Sequence, residues 1–430
     1  MNPRQELVSF FEAALDRVHA GRALARALRE SEVRLRDRDW TLIAAGKAAA
    51  PMAAAARDAL GTRLRGGLVV TKDGHGAAFD GLDGFEVLEA GHPVPDARGL
   101  AAAERALDLA RGLGADDALL VLLSGGASSL LPAPVEGVTL RDVQQLTASL
   151  LRAGVDIAAL NAVRKHLSRI QGGRLALAAA PAAVETLVVS DVAGDRPDVI
   201  GSGPTVGDPS SFGDALEVLR GASLLESAPA SIRDVLESGV AGLRDETPLP
   251  GDVGLVNGRF SVVASLADAL DAARQAGERL GLRVRGLGRV LDADVDVCVI
   301  RLAEELERAR VDGVDLIVAG GEPTVVVRGP GRGGRAQHLA LALAQHARGK
   351  FAALVAGTDG TDGPTDAAGA VVDDTTLARG SRAGSSGADA LAGYDSGAFL
   401  EGAGDLLRTG PTATNVNDLA LIRVLRPPEA

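Results

Sequence analysis

Residues 118–126 read ALLVLLSGG, a run of six apolar residues that ends in a serine and two glycines. Stretches rich in Ala, Leu and Arg, with helical spacing, separate this run from others like it. Apolar runs followed by Gly, Ser or Asp are typical of parallel strands that are buried on both faces. Together with the helical stretches between them, they predict an α/β fold. The other predicted strands are WTLIAAG (40–46), GLVVT (67–71), TLVVSDV (186–192), FSVVAS (260–265), DLIVAGG (315–321), TVVVRG (324–329) and FAALVAG (351–357).

The length of the chain predicts two domains, because 430 residues exceed what a single hydrophobic core usually serves. The segment DETPLPGD, residues 245–252, interrupts helical sequence with two prolines and with acidic residues. We place the domain boundary there and predict one domain over residues 1–245 and a second over residues 253–430. Ligands of parallel α/β folds bind beyond the carboxyl ends of the strands, so we expect the functional residues to follow the predicted strands.

Charge and cysteine content exclude several classes of protein. The chain carries 45 Lys and Arg against 57 Asp and Glu, a formal net charge of -12, which disfavours a nucleic-acid backbone as partner. The single cysteine, Cys298, permits neither a disulfide framework nor a thiolate zinc cluster. The longest uncharged stretch contains glycines and prolines, which are unsuited to a membrane-spanning helix. Acidic residues interrupt the N-terminal segment, where a secretory signal needs an apolar core. We expect a cytoplasmic protein without membrane or nucleic-acid partners.

Three glycine-rich segments after predicted strands are candidates for phosphate binding. Backbone N–H groups in such loops can point at an anion, above all where a helix begins. The alternative is that each segment is only a tight turn between a strand and a helix. The candidate residues are Gly46 and Lys47 in the first segment, Ser124, Gly125, Gly126, Ser128 and Ser129 in the second, and Asp191, Gly203 and Thr205 in the third.

Lysine is rare in this chain, which has four lysines and 41 arginines. Lys47 lies in a glycine-rich turn and Lys72 follows a predicted strand, where a compact ammonium group offers what a guanidinium does not. Arg164 and Lys165 belong to the basic segment NAVRKHLS (161–168), which suits an anionic ligand. On a helix these two side chains point about 100° apart, so they do not both face one site. The alternative is a solvated basic helix face.

The C-terminal third holds acidic and amide side chains in loops, together with an arginine. Asp359 and Asp366 lie in GTDGTDGPTDAAGA, where they suit Mg²⁺, which takes oxygen ligands. The alternative is that Asx turns stiffen this loop. Glu322 follows another predicted strand, Arg335 ends a glycine loop, and Asn415 lies in a polar segment near the C-terminus.

Gly329, Gly331 and Gly334 satisfy the spacing GxGxxG between a predicted strand and a helix, which opens a dinucleotide-binding interpretation. This signal is incomplete, because no acidic residue ends a second strand at the required distance. His75 and His92 have no partner at a recognisable spacing, and we expect structural or surface roles for them.

Taken together and in this order, the segments resemble the glycerate 2-kinase family, whose C-terminal part is the MOFRL domain and whose members were often labelled hydroxypyruvate reductases. The resemblance implies an N-terminal Rossmann-like α/β/α domain with a largely parallel sheet, and a C-terminal α/β domain that contains the MOFRL region at about residues 310–420. The matching motifs cover nearly the whole chain: AAGKAAAPMA (44–53), EAGHPVPD (89–96), LLSGGASSLLPAP (122–134), LNAVRKHLS (160–168), SDVAGD (190–195), IGSGPT (200–205), GGEPTVVVRG (320–329), GRGGRAQ (331–337), GTDGTDGPTDAAGA (357–370) and TGPTATNVNDL (409–419).

The resemblance also implies an activity and a set of site residues. Family members transfer the γ-phosphoryl group of ATP to the 2-hydroxyl of D-glycerate with a divalent metal, here expected to be Mg²⁺. The glycine-rich phosphate loops would then bind the nucleotide. By motif, the expected catalytic residues are Lys47, Asp191 and Arg335, the expected substrate-binding residues are Arg164, Lys165, Glu322 and Asn415, and the expected metal ligands are Asp191, Asp359 and Asp366.

The sequence departs from the family pattern in two motifs. Ala127 stands where the family often has glycine in SGGGS, and Ala336 with His338 replaces the usual Asn and Glu of GRNQE. The second change removes an amide and a carboxylate beside Arg335, which puts substrate scope or metal dependence there in doubt. Two other functions stay open: an NAD(P)H-dependent hydroxypyruvate reductase, and a catalytically impaired nucleotide-binding relative. The sequence does not decide the oligomeric state, and a homo-oligomer is one outcome it leaves open.

Overall fold

The computed structural model of this chain describes residues 2–30, 38–76 and 84–426, which form two compact units. The first unit is Ala20–Val263, and the second combines Met1–His19 with Ala264–Ala430. The N-terminal helix α1 (Pro3–Val18) therefore belongs to the second unit. The division falls after Val263 and not at residues 245–252, because that segment is packed into the first unit: Thr247 is buried, and the carboxylate of Glu246 accepts a hydrogen bond from the His166 ring at 2.7 Å.

The first unit is built on a six-stranded sheet with the order β3-β2-β1-β4-β5-β6. The pairings from β3 through β5 are parallel, as the apolar runs predicted. This order reverses direction between β1 and β4, which is the arrangement of dinucleotide-binding Rossmann folds. The strands are β1 (Trp40–Ala45), β2 (Leu64–Lys72), β3 (Phe85–Ala90), β4 (Ala118–Leu123), β5 (Ala183–Val189) and β6 (Gly258–Ala264).

Helices surround this sheet, and polar caps in the sequence fix where several of them begin. Asp96 caps α4 by accepting hydrogen bonds from two backbone N–H groups, and Thr139 and Ser211 form capping boxes at α6 and α9. None of the helices in the described ranges combines the length and the apolar character needed to cross a membrane. The helices of this unit are α2 (Ala20–Glu30), α3 (Ala49–Leu60), α4 (Ala97–Arg111), α5 (Ala127–Leu130), α6 (Leu140–Arg152), α7 (Ile157–His166), α8 (Arg174–Ala179), α9 (Phe212–Gly221) and α10 (Ala230–Val240).

The second unit is built on a mixed six-stranded sheet with the order β11-β10-β9-β12-β8-β7. Strand β12 lies between β8 and β9 and is antiparallel to both, so the carboxyl ends of β8 and β9 and the amino end of β12 lie at one edge. The strands are β7 (Val284–Arg289), β8 (Leu316–Gly321), β9 (Phe351–Gly357), β10 (Gly369–Asp373), β11 (Leu406–Leu407) and β12 (Asp418–Val424).

Helix α1 completes the core of the second unit. Its side chains Leu7, Phe10 and Phe11 are buried, and Arg4 forms ion pairs with the carboxylates of Asp373 and Asp405, both at 2.6 Å. It packs on α11, β9 and β12. The other helices of this unit are α11 (Leu266–Arg279), α12 (Val295–Val311), α13 (Arg335–His346), α14 (Thr376–Arg382), α15 (Gly387–Ala392) and α16 (Ser396–Ala403).

One predicted strand does not form. Residues 324–329 make a single bridge, between Thr324 and Asp294, and the side chains of Val326 and Val327 are 61% and 60% exposed. Both edges of β8 are already paired, with β12 on one side and β7 on the other, so the segment that follows β8 cannot pair with that strand. A run of valines has strand propensity, but a strand needs an open edge to pair with.

Candidate active site

Lys47 follows β1 at the point where the strand order of the first unit reverses. Gly46 has φ +129, and a Cβ there would lie 2.2 Å from Oγ of Ser124, the residue after β4. That Oγ accepts a hydrogen bond from the backbone N–H of Ala48 at 3.0 Å, and the N–H of Lys47 donates to the carbonyl of Gly125 at 2.9 Å. The loops after β1 and β4 are therefore joined directly, and the backbone of Lys47 is fixed by its neighbours.

Two histidines for which we expected only structural or surface roles lie beside Lys47. Gly126 has φ +92, and a Cβ there would lie 2.8 Å from Cδ2 of His92 and 3.7 Å from Cγ of Lys47. The Nδ1 atom of His75 lies 3.3 Å from the carbonyl oxygen of Lys47. The only available signal was positional, because His75 comes shortly after β2 and His92 shortly after β3.

Electrostatics keep His92 neutral. Burial, together with the charges of Lys47 and Lys72, lowers the pKa of His92 to about 4. Burial and Lys72 also lower the pKa of His75. Near neutral pH the positive charge in this part of the site therefore comes from the two lysines, while the imidazole of His92 carries one hydrogen-bond donor and one acceptor.

Arg164 lies beside the serines that follow β4. It lines a cavity of about 50 Å³ together with Ser128, Ser129 and Gln171. The hydroxyl of Ser128 lies 2.9 Å from that of Ser202, which in turn donates to the side-chain oxygen of Asn161 at 3.2 Å. Burial alone lowers the pKa of Arg164, and within the described ranges of the chain this guanidinium forms no ion pair. An arginine without a counter-ion in a small cavity suits an anionic group.

Three other predicted ligands in the first unit are engaged within the fold. The ammonium of Lys165 is buried and lies 3.1 Å from the Asp208 carboxylate and 3.5 Å from that of Asp198. The hydroxyl of Thr205 accepts a hydrogen bond from Thr186 at 2.8 Å, and the carbonyl of Gly203 accepts one from the N–H of Gly173 at 2.7 Å. Arg164 and Lys165 do face different surroundings, as their separation on a helix predicts. Asp191 follows β5 and is half-buried.

In the second unit, Arg335 joins the start of α13 to the ends of two strands, β8 and β12. It is the first residue of α13, and its Nε and Nη2 donate to the two carboxylate oxygens of Asp418 at 2.8 and 3.1 Å. Its Nη1 donates to Glu322, directly after β8, at 2.7 Å. Asp418 is buried, which raises its pKa to about 7, while the charge of Arg335 acts in the opposite direction. The guanidinium is therefore held in one orientation by a paired, desolvated carboxylate.

The N-terminus of α13 is occupied by a carboxylate of the chain itself. The side chain of Asp362 accepts hydrogen bonds from the N–H groups of Ala336 and Gln337 at 3.1 and 2.8 Å. A Cβ on Gly334 would lie 2.1 Å from Cγ of Asp362, so glycine is needed there for packing. Burial raises the pKa of Asp362 to about 6. The dinucleotide-binding interpretation of Gly329, Gly331 and Gly334 does not hold, because a pyrophosphate would need these same N–H groups and a preceding strand.

The remaining predicted residues of the second unit are not gathered into a metal site. Asp359 accepts a hydrogen bond from the N–H of Thr361 at 3.1 Å, whereas Asp366 is exposed and pairs with Arg408 at 3.0 Å. Asn415 accepts a hydrogen bond from the N–H of Asn417 at 3.2 Å. In residues 2–30, 38–76 and 84–426, no three His, Cys, Asp or Glu side chains are arranged to hold a metal ion.

Comparisons with known proteins place the chain in a family. A model described as a domain of unknown function, DUF4147, matches residues 6–237, and the model of the MOFRL family matches residues 315–418. A D-glycerate 2-kinase of Thermotoga maritima is 40% identical, covering 92% of this chain and 93% of the relative. An Agrobacterium vitis protein with the provisional name hydroxypyruvate reductase is 39% identical, over 99% and 95% of the two chains.

The fold agrees with that placement. A crystal structure of a glycerate kinase from T. maritima has a TM-score of 0.88 to this chain at 37% identity, covering 98% of this chain and 99% of the other. The chain belongs to the glycerate kinase family that carries a MOFRL domain. The family resemblance and the α/β fold class predicted from its motifs are both confirmed.

Proposed function

We propose that this chain is a glycerate 2-kinase, which transfers the γ-phosphoryl group of ATP to the 2-hydroxyl of D-glycerate and releases ADP. The observation that carries the proposal is the place of Lys47, at the strand-order reversal of the first unit, in a chain of the glycerate kinase family. Ligands of such folds bind at this reversal. In phosphoryl transfer a protein mainly positions the substrates and neutralises the charge on the phosphates. A lysine among glycine turns is suited to both tasks.

The loops around Lys47 would take the phosphate groups. We assign the phosphate groups to the glycine turns that contain Gly46, Gly125 and Gly126, and Lys72 adds a second positive charge near His92. The hydroxyl of Ser124 is less available, because it already accepts a hydrogen bond from Ala48. We therefore assign Ser124 to holding the loops in place.

Arg164 would bind the carboxylate of glycerate. It is a cation without an ion-pair partner in the described residues, it lines a small cavity, and Ser128 and Ser129 line the same cavity. A guanidinium matches a carboxylate with two parallel hydrogen bonds. Lys165 is a weaker candidate, since an anion would have to displace its buried contacts to Asp208 and Asp198.

Asp191 would orient the 2-hydroxyl or hold Mg²⁺. A hard divalent cation suits the site chemically, because Mg²⁺ usually binds one or two carboxylates together with substrate phosphates and water, and so needs no cage of three protein side chains. Asp191 and Asp359 are carboxylates that follow strands, whereas Asp366 is already paired with Arg408. Bound Mg²⁺ would neutralise charge on the phosphates.

Arg335 would stabilise charge on the transferring phosphoryl group. Three of its five N–H groups are used by Asp418 and Glu322, which leaves two for a ligand. The side chain of Glu322 is half-exposed, so an anionic ligand could replace it on Nη1 without disturbing a buried charge.

We also propose that the protein is cytoplasmic and that its partners are small-molecule substrates only.

Hydroxypyruvate reductase is the second candidate, because the name of the Agrobacterium relative points to it. Against it stands the glycine loop before α13, where Asp362 occupies the N–H groups that a dinucleotide would need.

A single ³¹P NMR experiment tests the assignment. We expect the purified protein, incubated with ATP, Mg²⁺ and D-glycerate, to form 2-phosphoglycerate. Excess EDTA is expected to stop the reaction. Oxidation of NADH or NADPH by hydroxypyruvate at a rate above that of phosphoryl transfer would overturn the assignment, and 3-phosphoglycerate as the sole product would refute the position of transfer.

A further inference from the structure

We propose that His92 determines substrate specificity by hydrogen bonding, through its neutral imidazole, to the 3-hydroxyl of glycerate. The inference rests on the proposed function and deepens it. Nothing in the family comparisons assigns a role to this residue, and its position in the fold suggests one.

His92 lies beside Lys47, in a loop whose following residues border the cavity of Arg164. Its ring and the side chain of Lys47 both lie against Gly126. Pro93, the next residue in the chain, and Pro95 line the cavity that contains Arg164. The loop that carries His92 therefore borders both the turn beside Lys47 and the Arg164 cavity.

The described residues provide no hydrogen-bond partner for the His92 imidazole. Within the described part of the chain, His92 forms no hydrogen bond and no ion pair, although it is half-buried. His166 shows what a structural histidine looks like here, because both of its ring nitrogens lie 2.7 Å from an oxygen of the protein. A half-buried polar ring without a partner is the kind of group that a ligand satisfies.

The chemistry of the neighbours indicates which part of the substrate His92 binds. Lys47, Lys72 and Arg164 can only donate hydrogen bonds, and they suit the phosphates and the carboxylate. A hydroxyl both donates and accepts, as does a neutral imidazole, and the pKa of His92 near 4 keeps the ring neutral. Asp191, which follows β5, is proposed to contact the 2-hydroxyl, so the 3-hydroxyl is the group left for His92.

D-Lactate provides the test, since it is D-glycerate without the 3-hydroxyl. We would measure the binding of D-glycerate and of D-lactate by calorimetry, in the presence of Mg²⁺ and a non-hydrolysable ATP analogue, for the wild type and for His92→Ala. The loss of a neutral hydrogen bond is expected to weaken D-glycerate binding by about tenfold. The affinity for D-lactate should change by less than about twofold on the same reasoning.

Two further variants make the result specific. His92→Gln, whose amide both donates and accepts, is expected to recover part of the preference for D-glycerate. His346→Ala is the matched control, because His346 lies at the end of α13 and its ring contacts only the backbone carbonyl of Ala342 among the described residues. Thermal melting of each variant shows whether it is folded.

Equal weakening of both ligands in His92→Ala would overturn the proposal, and so would unchanged binding of D-glycerate in that variant. If His92→Ala does not fold, the comparison passes to His92→Gln, where an equal weakening of both ligands would likewise overturn the proposal. Failure of the proposed function looks different, because a wild-type protein that binds D-glycerate but forms no 2-phosphoglycerate leaves this inference standing.

Discussion

Lys47 is the residue of the first unit that we propose to stabilise charge on the transferring phosphoryl group. If its ammonium stabilises charge on the phosphoryl group, Lys47→Ala is expected to lower kcat by roughly a hundredfold or more, by analogy with the loss of a preorganised hydrogen-bond donor. The measurement is steady-state kinetics with ATP and D-glycerate. Lys350→Ala is the matched control, because Lys350 is exposed at the start of β9. Equal losses in the two variants, or full activity of a folded Lys47→Ala, would contradict the role.

Arg335 and Asp418 form a pair in which the carboxylate is buried. Arg335→Met leaves the buried Asp418 without its partner, and breaking a buried ion pair typically costs about 3 to 5 kcal/mol. The pKa of Asp418, already about 7, should rise further in this variant. An acid whose pKa is higher in the folded than in the unfolded protein loses stability as pH rises, until the pH exceeds the folded value.

The resulting prediction is that Arg335→Met is closer to the wild type in stability at pH 6 than at pH 8.5. Urea denaturation at the two pH values measures this difference. Adding Asp418→Asn to the same variant should remove the pH-dependent part, because the amide does not titrate. A pH-independent loss in Arg335→Met would show that Asp418 is not the group left uncompensated.

The sequence indicated Arg335 and Glu322 singly but not their pairing with each other or with Asp418. Arg335, Glu322 and Asp418 come from three segments far apart in the chain, and only the antiparallel insertion of β12 between β8 and β9 brings their side chains to one edge. His92 was missed for the same reason, since its contact with Gly126 depends on how the loop after β3 folds back toward β4.

At the scale of elements, local sequence patterns predicted the strands that are buried on both faces. They did not predict features that depend on which strands pair. The uniformly apolar runs of β1, β4 and β9 were recognisable, because both faces of these strands are covered. Strand β12 was not predicted, since its first residue is the acid that pairs with Arg335 and its sixth is Arg423. The valine run at 324–329 was predicted as a strand but forms a single bridge, between Thr324 and Asp294.

The turn at Gly126 offers a test of how one element holds the site. Gly126→Ala introduces backbone strain at φ +92 and would also push a Cβ against the His92 ring. Gly137 is a matched control, because it has φ +89 and open space where a Cβ would be. Both substitutions are expected to cost about 1 to 2 kcal/mol of stability through the left-handed backbone.

Only Gly126→Ala is expected to lower kcat/KM for D-glycerate, by about tenfold or more if displacing the His92 ring removes its hydrogen bond. Denaturant titration and steady-state kinetics on the two variants separate the effect of backbone strain at the glycine from that of displacing the His92 ring. Equal kinetic losses at Gly126 and Gly137 would mean that turn strain alone accounts for the effect, and that the contact with His92 has no role in binding.

At the scale of the whole molecule, the two units differ in whether they are continuous in sequence. The first unit is one continuous stretch, Ala20–Val263, whereas the second needs α1 from the opposite end of the sequence. A boundary search by composition could not find this, because a linker is a local feature and the packing of α1 is not. The composition of residues 245–252 accordingly led us to assign residues 1–245 to one domain.

The discontinuity leads to a prediction about fragments. Leu7, Phe10 and Phe11 of α1 are buried in the second unit, and burying each such side chain contributes about 1.5 to 3 kcal/mol. Their sum is comparable with the 5 to 15 kcal/mol that typically stabilises a whole domain. We therefore expect residues 264–426 alone to be unfolded or aggregated, and residues 20–263 alone to fold.

Restoring α1 should rescue the second unit. Glu6 pairs with Arg423 at 2.7 Å, so the start of α1 lies close to the end of β12, and a short Gly/Ser linker can join residue 426 to residue 2. This permuted chain, 264–426 followed by 2–19, is expected to melt cooperatively in circular dichroism, and the same chain with Phe10→Ala and Phe11→Ala is not. Cooperative melting of 264–426 without the helix, at the temperature of the permuted chain, would show that α1 covers this unit without stabilising it.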